Sequence, residues 1–335
     1  MTILDLDRRR LAPGLTTRPL VVGSRRIGSE PAVSDAEWTA ALHTAVERGA
    51  DLFDTADTYG DGRAERLIGQ VLRRYPAADL KVSSKVGHRG SAPHPYAGPH
   101  LRHQLEQSIE NLGVERMDLY VLPSFDFGDN DRYLGPAIDQ MHTLRELGMI
   151  GAIGLRGPHP CPGKPASEAL AGRFLQLLRL VNPDVVLARF NALTPAVTLD
   201  GEDLFSFTAQ HGIGLLLFAP FAGGVLAGRD RVGVEVGMDP AARAVVAAGL
   251  ARLRSRLGDD PALVARAALQ YCLAQAPHSA VVAGFSSERQ LAENFDNLTA
   301  APSCADDLEF AGAVFRGLRE ELTSASAPRA LKVLA

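Results

Sequence analysis

Along most of this chain, short and nearly unbroken apolar runs alternate with segments of helical period. PLVVGS (19–24), LFDTAD (52–57), LKVSSKV (80–86), MDLYVL (117–122), GAIGLR (151–156), DVVLARF (184–190), GLLLFAP (214–220) and SAVVAGF (279–285) have the length of strands. Their continuous apolarity is that of strands covered on both faces. Between them apolar residues recur every three to four positions: Leu101, Leu105, Ile109 and Leu112 form one stripe, and Leu291, Phe295 and Leu298 another. Boundary residues agree, with Ser34-Asp35 before the first helix, Gly49 and Gly113 near helix ends, and Asp239-Pro240 opening a late helix. Eight such strand–helix pairs in about 300 residues predict an α/β fold, a (β/α)8 TIM barrel, as a single domain over residues 1–335. The competing doubly wound sheet carries G-x-G-x-x-G after its first strand, where this chain has Gly23-Ser24-Arg25-Arg26. The stretch 225–240 reads as a long loop or lid.

Composition narrows the classes of function. With 335 residues, 46% of them hydrophobic, the chain can bury one large core. A net charge of −4 provides no basic field for nucleic acid and no polybasic segment for a membrane surface. No run approaches the roughly 18 apolar residues of a membrane span, and MTILDLDRRRLAPG lacks the apolar core of a signal peptide. A cytoplasmic protein with a small-molecule substrate is expected, and neither nucleic acid nor membrane is an expected partner. Cys161, Cys272 and Cys304 are odd in number and widely spaced, as free thiols are. The outer helices carry no heptad, so the oligomeric state stays open.

In such a barrel, chemistry gathers where strands end. The second strand leads into FDTADTYGDGRAERLIG (53–69), with Asp54 at the strand, Tyr59 in the loop, and Gly60 and Gly62 at the turn before a helix carrying Glu65; the third strand ends at Lys85. A phenol beside a lysine and a buried carboxylate is a proton-handling set. The ammonium favours the phenolate, whose ordinary pKa is about 10, and the aspartate fixes the lysine. Tyr59 is then a general acid toward a carbonyl oxygen. Taken singly, each of these residues fits an ion pair or a loop position equally well, and only the combination is specific. HRGSAPHPYAGPHLRH (88–103) contains four histidines, read as a substrate loop rather than a metal site, so no metal is expected.

At this point the chain resembles the aldo-keto reductase family. FDTADTYGDGRAERLIG matches that family's second-strand motif and SSKVG its lysine motif; MDLYVL, FAPFAGGVLAGR and VVAGFSSERQLAENFDNL follow in order across roughly residues 15 to 300. The resemblance implies a nicotinamide cofactor across the barrel mouth and hydride transfer to a carbonyl, with Tyr59, Lys85 and Asp54 as catalytic residues. It implies cofactor contacts from Arg156, Phe218, Arg229, Gly284, Ser286, Gln290 and Asn294, although Phe218 reads equally well as core. Arg289 and Arg229 could carry charge for cofactor phosphates. NADPH is the expected cofactor and NADH the alternative, because no basic residue stands at 286. Pocket walls are expected from loops 24–30, 88–100, 123–135 and 225–238, which makes Arg25, His88, Pro123 and Ser124 the substrate-side candidates.

Two departures from the family pattern stand out. Where the family's fourth strand ends in a histidine that hydrogen-bonds the substrate carbonyl, this chain has Pro123, with neither a side-chain donor nor an N–H. Loss of one oriented donor costs about 2.7–4 kcal/mol, so ordinary aldehyde reduction should be slow unless Ser124 or His88 supplies the donor. Where the family commonly has Ser-Asn after strand five and Gln on strand six, this chain has Arg156-Gly157 and Leu187; a branch resembling sugar dehydrogenases has an Arg-aromatic pair comparable to Arg189-Phe190. The expected activity is reduction of a ketone, a sugar ketone or an activated C=C bond, placed in bacterial specialised metabolism. The alternatives are a lyase, dehydratase or cyclase on the same scaffold, or a non-catalytic nicotinamide-binding regulatory subunit.

Overall fold

The computed structural model describes residues 7–161, 166–228, 238, 240–299 and 305–326. Eight parallel strands, β1 (Leu20–Gly23), β2 (Leu52–Asp54), β3 (Lys81–Lys85), β4 (Met117–Leu122), β5 (Ile150–Arg156), β6 (Val185–Arg189), β7 (Gly214–Phe218) and β8 (Ser279–Gly284), close into a barrel in which β8 pairs with β1. Each lies within the run expected for it or one residue beyond, because burial on both faces made every strand a continuous apolar run. Side chains alternate between the two faces. Val21, Leu52, Leu119, Val121, Ala152, Val185, Leu187, Leu216, Ala280 and Val282 fill the interior. Their neighbours Val22, Phe53, Val82, Tyr120, Ile153, Val186, Leu217 and Val281 pack outward against the helices.

The helices begin and end by local chemistry. At Asp35–Glu47 the Ser34 hydroxyl accepts from the Glu37 N–H while the Glu37 carboxylate accepts from the Ser34 N–H, a reciprocal cap that puts Trp38, Ala41, Leu42 and Ala45 against the barrel. The helix Gly98–Leu112 stops at Gly113, whose φ of 65° is left-handed. Two late helices, Pro240–Leu257 and Ala305–Ser326, pack together at Gly249, where an added Cβ would lie 2.4 Å from Leu318 Cδ2. Within the described residues no helix is long and apolar enough to cross a membrane. Of the stretch 225–240 expected as a lid, residues 229–237 and 239 lie outside the described residues, and Ala222–Ala227 forms a 3-10 segment.

The sequence reading did not anticipate a hairpin before the barrel. Arg9–Ala12 pairs antiparallel with Leu15–Thr17 around Gly14, and Leu11, Ala12 and Leu15 join the interior cluster from below. Such short strands carry too few residues for a periodic signal. The hairpin seats so closely that a Cβ on Gly214 would lie 2.0 Å from the Leu11 carbonyl oxygen. Gly214→Ala is therefore expected to cost about 1–3 kcal/mol of stability, read as a lower urea midpoint with an unchanged far-UV spectrum.

Candidate active site

The interior alternation, carried one step further to the C-terminal rim, exchanges apolar for reactive residues. Leu52 is followed in phase by Asp54, Ser83 by Lys85, Val121 by Pro123, Gly154 by Arg156, Leu187 by Arg189, Leu216 by Phe218 and Val282 by Gly284. Lys85 Nζ donates to both Asp54 carboxylate oxygens at 2.7 Å and to the Thr55 carbonyl at 2.6 Å, and Ser83 Oγ donates to Asp54 at 3.0 Å. Burial disfavours the charge on Lys85, but the Asp54 carboxylate, aided by Tyr59 and opposed by Arg156, more than offsets it, so the lysine pKa is raised. Lys85 Nζ lies 5.6 Å from the centroid of the Tyr59 ring.

Tyr59 is positioned by its loop. Gly60, Asp61 and Gly62 take positive φ of 62°, 50° and 76°, which turns the chain sharply after the tyrosine. From the helix Arg25–Ser29, Gly28 presses on this turn: a Cβ there would be 2.5 Å from the Gly60 nitrogen and 2.8 Å from Tyr59 Cα. Asp57 Oδ2 accepts from the Gly87 and His88 N–H groups, both at 3.0 Å, and so ties the loop after β2 to the loop after β3. Burial raises the Asp57 pKa against these donors.

Pro123 continues the inward face of β4 and brings no donor. Ser124 is exposed; its N–H donates to the Tyr96 hydroxyl at 2.8 Å and its own hydroxyl accepts from the Asp126 N–H at 3.1 Å. Tyr96 is buried, and burial raises its pKa. The His88 ring lies 4.0 Å from Asp61, lining a second cleft of about 310 Å³ with Glu65, Arg66 and Asn111. Among the described residues, neither Ser124 nor His88 forms a hydrogen bond or ion pair with Tyr59 or Lys85.

Opposite Lys85 the rim is cationic. The Arg156 guanidinium lies 5.4 Å above the Phe218 ring, and its Nη2 donates to His159 Nδ1 at 3.4 Å, so the proton of that neutral imidazole sits on Nε2. His159 meets Phe218 edge-on at 5.5 Å between ring centroids. Burial, together with the charges of Arg156, Arg189 and Arg25, pushes the His159 pKa down to about 3. Burial also lowers Arg156, with Tyr59 opposing and Arg25 and Arg189 assisting.

Over β7 and β8 opens a cleft of about 500 Å³, lined by Arg26, the turn Ala219–Gly224, Asp260, Pro261, Gly284, Ser286, Gln290 and Asn294 among others. A Cβ on Gly284 would meet nothing within 4 Å, so the backbone there faces the cleft openly. Gln290 Oε1 accepts from the Ser286 N–H and hydroxyl at 3.0 and 2.8 Å, and Asn294 donates to the Gly284 carbonyl at 3.3 Å. The helix Glu288–Thr299 begins at this wall, where its first N–H groups favour an anion.

The model of the aldo/keto reductase family matches residues 19–307. The chain belongs to the aldo/keto reductase family. Its relatives include an L-galactose dehydrogenase of Arabidopsis thaliana, 26% identical over 302 residues and covering 88% of this chain and 89% of the relative. A D-threo-aldose 1-dehydrogenase of Pseudomonas sp is 29% identical over 317 residues, covering 84% and 90%. Among solved structures, an aldo-keto reductase from Bacillus halodurans in its holo form superposes with a TM-score of 0.71 at 22% identity, covering 94% of this chain and 96% of that one. The chain is thus an aldo/keto reductase family oxidoreductase on a (β/α)8 barrel.

Of the residues expected from sequence, Asp54, Tyr59 and Lys85 converge, as do Gly284, Ser286, Gln290 and Asn294 around the cleft. Phe218 and Arg156 meet each other, Arg25 acts on Arg156 electrostatically, and Arg229 lies outside the described residues. Arg289 lines the cleft but is exposed and paired with Glu293 at 2.7 Å. Arg26 and Gly28 fall within the loop 24–30 expected as a pocket wall without being singled out, His159 was not expected at the site, and Arg189 was expected only as half of the Arg189-Phe190 pair. Arg189 was findable from phase alone, since it stands two residues past the inward Leu187. No local signal marks Gly28, whose role is a contact with a segment about 30 residues on.

Proposed function

We propose that this chain is a nicotinamide-dependent reductase of a ketone, a sugar ketone or an activated C=C bond, with Tyr59 as proton donor and NADPH, or alternatively NADH, as cofactor. The observation that carries the reading is the buried Lys85, held by both oxygens of Asp54 and turned toward the Tyr59 ring. When bound, a reduced nicotinamide supplies the hydride. Tyr59 gives its phenolic proton to the carbonyl oxygen, and the Lys85 ammonium stabilises the negative charge left on the phenol. Asp54 keeps Lys85 charged and aimed. Phe218 offers an aromatic face at the nicotinamide end, and the cleft at Gly284, Ser286, Gln290 and Asn294 suits the adenosine phosphates. The two sugar-dehydrogenase relatives favour a polyhydroxylated carbonyl substrate, and Pro123 favours acceptors that depend less on a second donor.

Fluorescence titration with NADPH and NADH, followed by single turnover of cofactor deuterated at C4 against ketones and enones, tests the reading. Binding of one cofactor and deuterium in a reduced product are expected. Failure of both cofactors to bind, or binding without transfer to any acceptor, would overturn it.

A further inference from the structure

Charge at the rim is unbalanced. Lys85 is neutralised by Asp54, but among the described residues no carboxylate lies within ion-pair distance of Arg25, Arg156 or Arg189. Elsewhere on the same molecule arginines find partners, as Arg63 does at Asp35 and Arg256 at Asp307. The three rim arginines are close enough that Arg25 and Arg189 both depress the pKa of Arg156, and all three depress that of His159. Strand register explains the convergence. Arg156 on β5 is level with Leu187 on β6, and Arg189 stands two residues further along the same inward face, level with Phe218 on β7. The register thus puts Arg156 and Arg189 on the same inward rim of neighbouring strands, with Phe218 level with Arg189 and under Arg156. Among the described residues, Arg189 Nε and His159 Nε2 are buried with no hydrogen-bond partner.

These cations are not placed for cofactor phosphates. The cleft over β7 and β8 is lined by Arg26 and Arg289 but by none of Arg25, Arg156 and Arg189. Bringing two half-buried guanidinium groups together, with the exposed Arg25 near them, is unfavourable until an anion joins the cluster. A carboxylate or a phosphate matches the guanidinium fork.

We propose that the carbonyl substrate of this site carries an anionic group, a carboxylate or a phosphate, bound by Arg156, Arg189 and Arg25 with the carbonyl directed to Tyr59. The inference deepens the reductase reading and rests on it for the carbonyl. His159 acts on the site through Arg156, which its Nδ1 orients.

Two matched pairs test the proposal: levulinate against its methyl ester, and dihydroxyacetone phosphate against dihydroxyacetone, compared as kcat/KM with NADPH. The anionic member of one pair should be favoured by at least about tenfold, and which pair shows it distinguishes carboxylate from phosphate. Raising salt from about 20 to about 500 mM should erode the rate for that anion and not for its neutral twin. In Arg189→Met and in Arg156→Met the preference should fall to within about threefold, with Arg189→Lys intermediate. Equal treatment of both members of both pairs, or a preference that survives both Met variants, overturns the proposal. A thermal-shift measurement without cofactor separates this outcome from failure of the redox reading. A rise in Tm with levulinate or inorganic phosphate in the wild type but not in Arg189→Met supports the anion site even where no substrate turns over, and no rise with either anion counts against it.

Discussion

Tyr59→Phe is expected to lower the single-turnover rate of hydride transfer by roughly 10²- to 10⁴-fold, the range for loss of a positioned general acid, while the Kd for NADPH changes by less than about twofold. The substitution removes one hydroxyl and keeps the ring that Lys85 faces at 5.6 Å. It also leaves the loop intact, since the turn is set by Gly60, Asp61 and Gly62 and by the close seat of Gly28. A variant that binds cofactor normally and no longer transfers hydride locates the loss in the chemical step. A rate within about threefold of wild type would assign the proton to another group and dismantle the proposed mechanism.

The second large effect concerns stability. Lys85 and Asp54 have side chains only 11% and 8% exposed, so removing either leaves a charge buried with no counterion. Asp54→Ala and Lys85→Met are each expected to cost about 3–5 kcal/mol in urea unfolding, and Asp54→Leu combined with Lys85→Met should cost less than either alone. The pH dependence follows from the raised Lys85 pKa. A cation whose folded-state pKa lies above its ordinary 10.5 contributes its full stabilisation below that pH and loses it as pH rises through the raised value. The stability gap between wild type and Lys85→Met should therefore hold steady at neutral and mildly alkaline pH and narrow above pH 10.5. A double variant as unstable as the sum of the singles would mean that the pair does not act as a unit.

How much of this was legible in the sequence depends on the range over which each feature is encoded. The strands were readable because burial on both faces writes itself as consecutive apolar residues, as in Leu119 to Leu122 or Leu215 to Leu217. The Asp54, Tyr59 and Lys85 set was readable because each residue belongs to a compact motif at a strand end. The hairpin at Arg9–Thr17 escaped notice because its interior residues, Leu11, Ala12 and Leu15, are too few to form a pattern. The arginine cluster escaped because charge convergence is a property of register: Arg156 and Arg189 are 33 positions apart and become neighbours only through the pairing of β5 with β6. Pro123 was legible as a missing donor, whereas the surroundings of Ser124 and His88 were not, since neither the Tyr96 hydroxyl nor the Asp61 carboxylate is implied by adjacency.

The hairpin also has a bearing on traffic. Leu11, Ala12 and Leu15 add a floor to an interior already filled by side chains, so the barrel has no through-passage. Whatever reaches Tyr59 must therefore arrive and depart over the C-terminal rim, and the floor is left to stability alone.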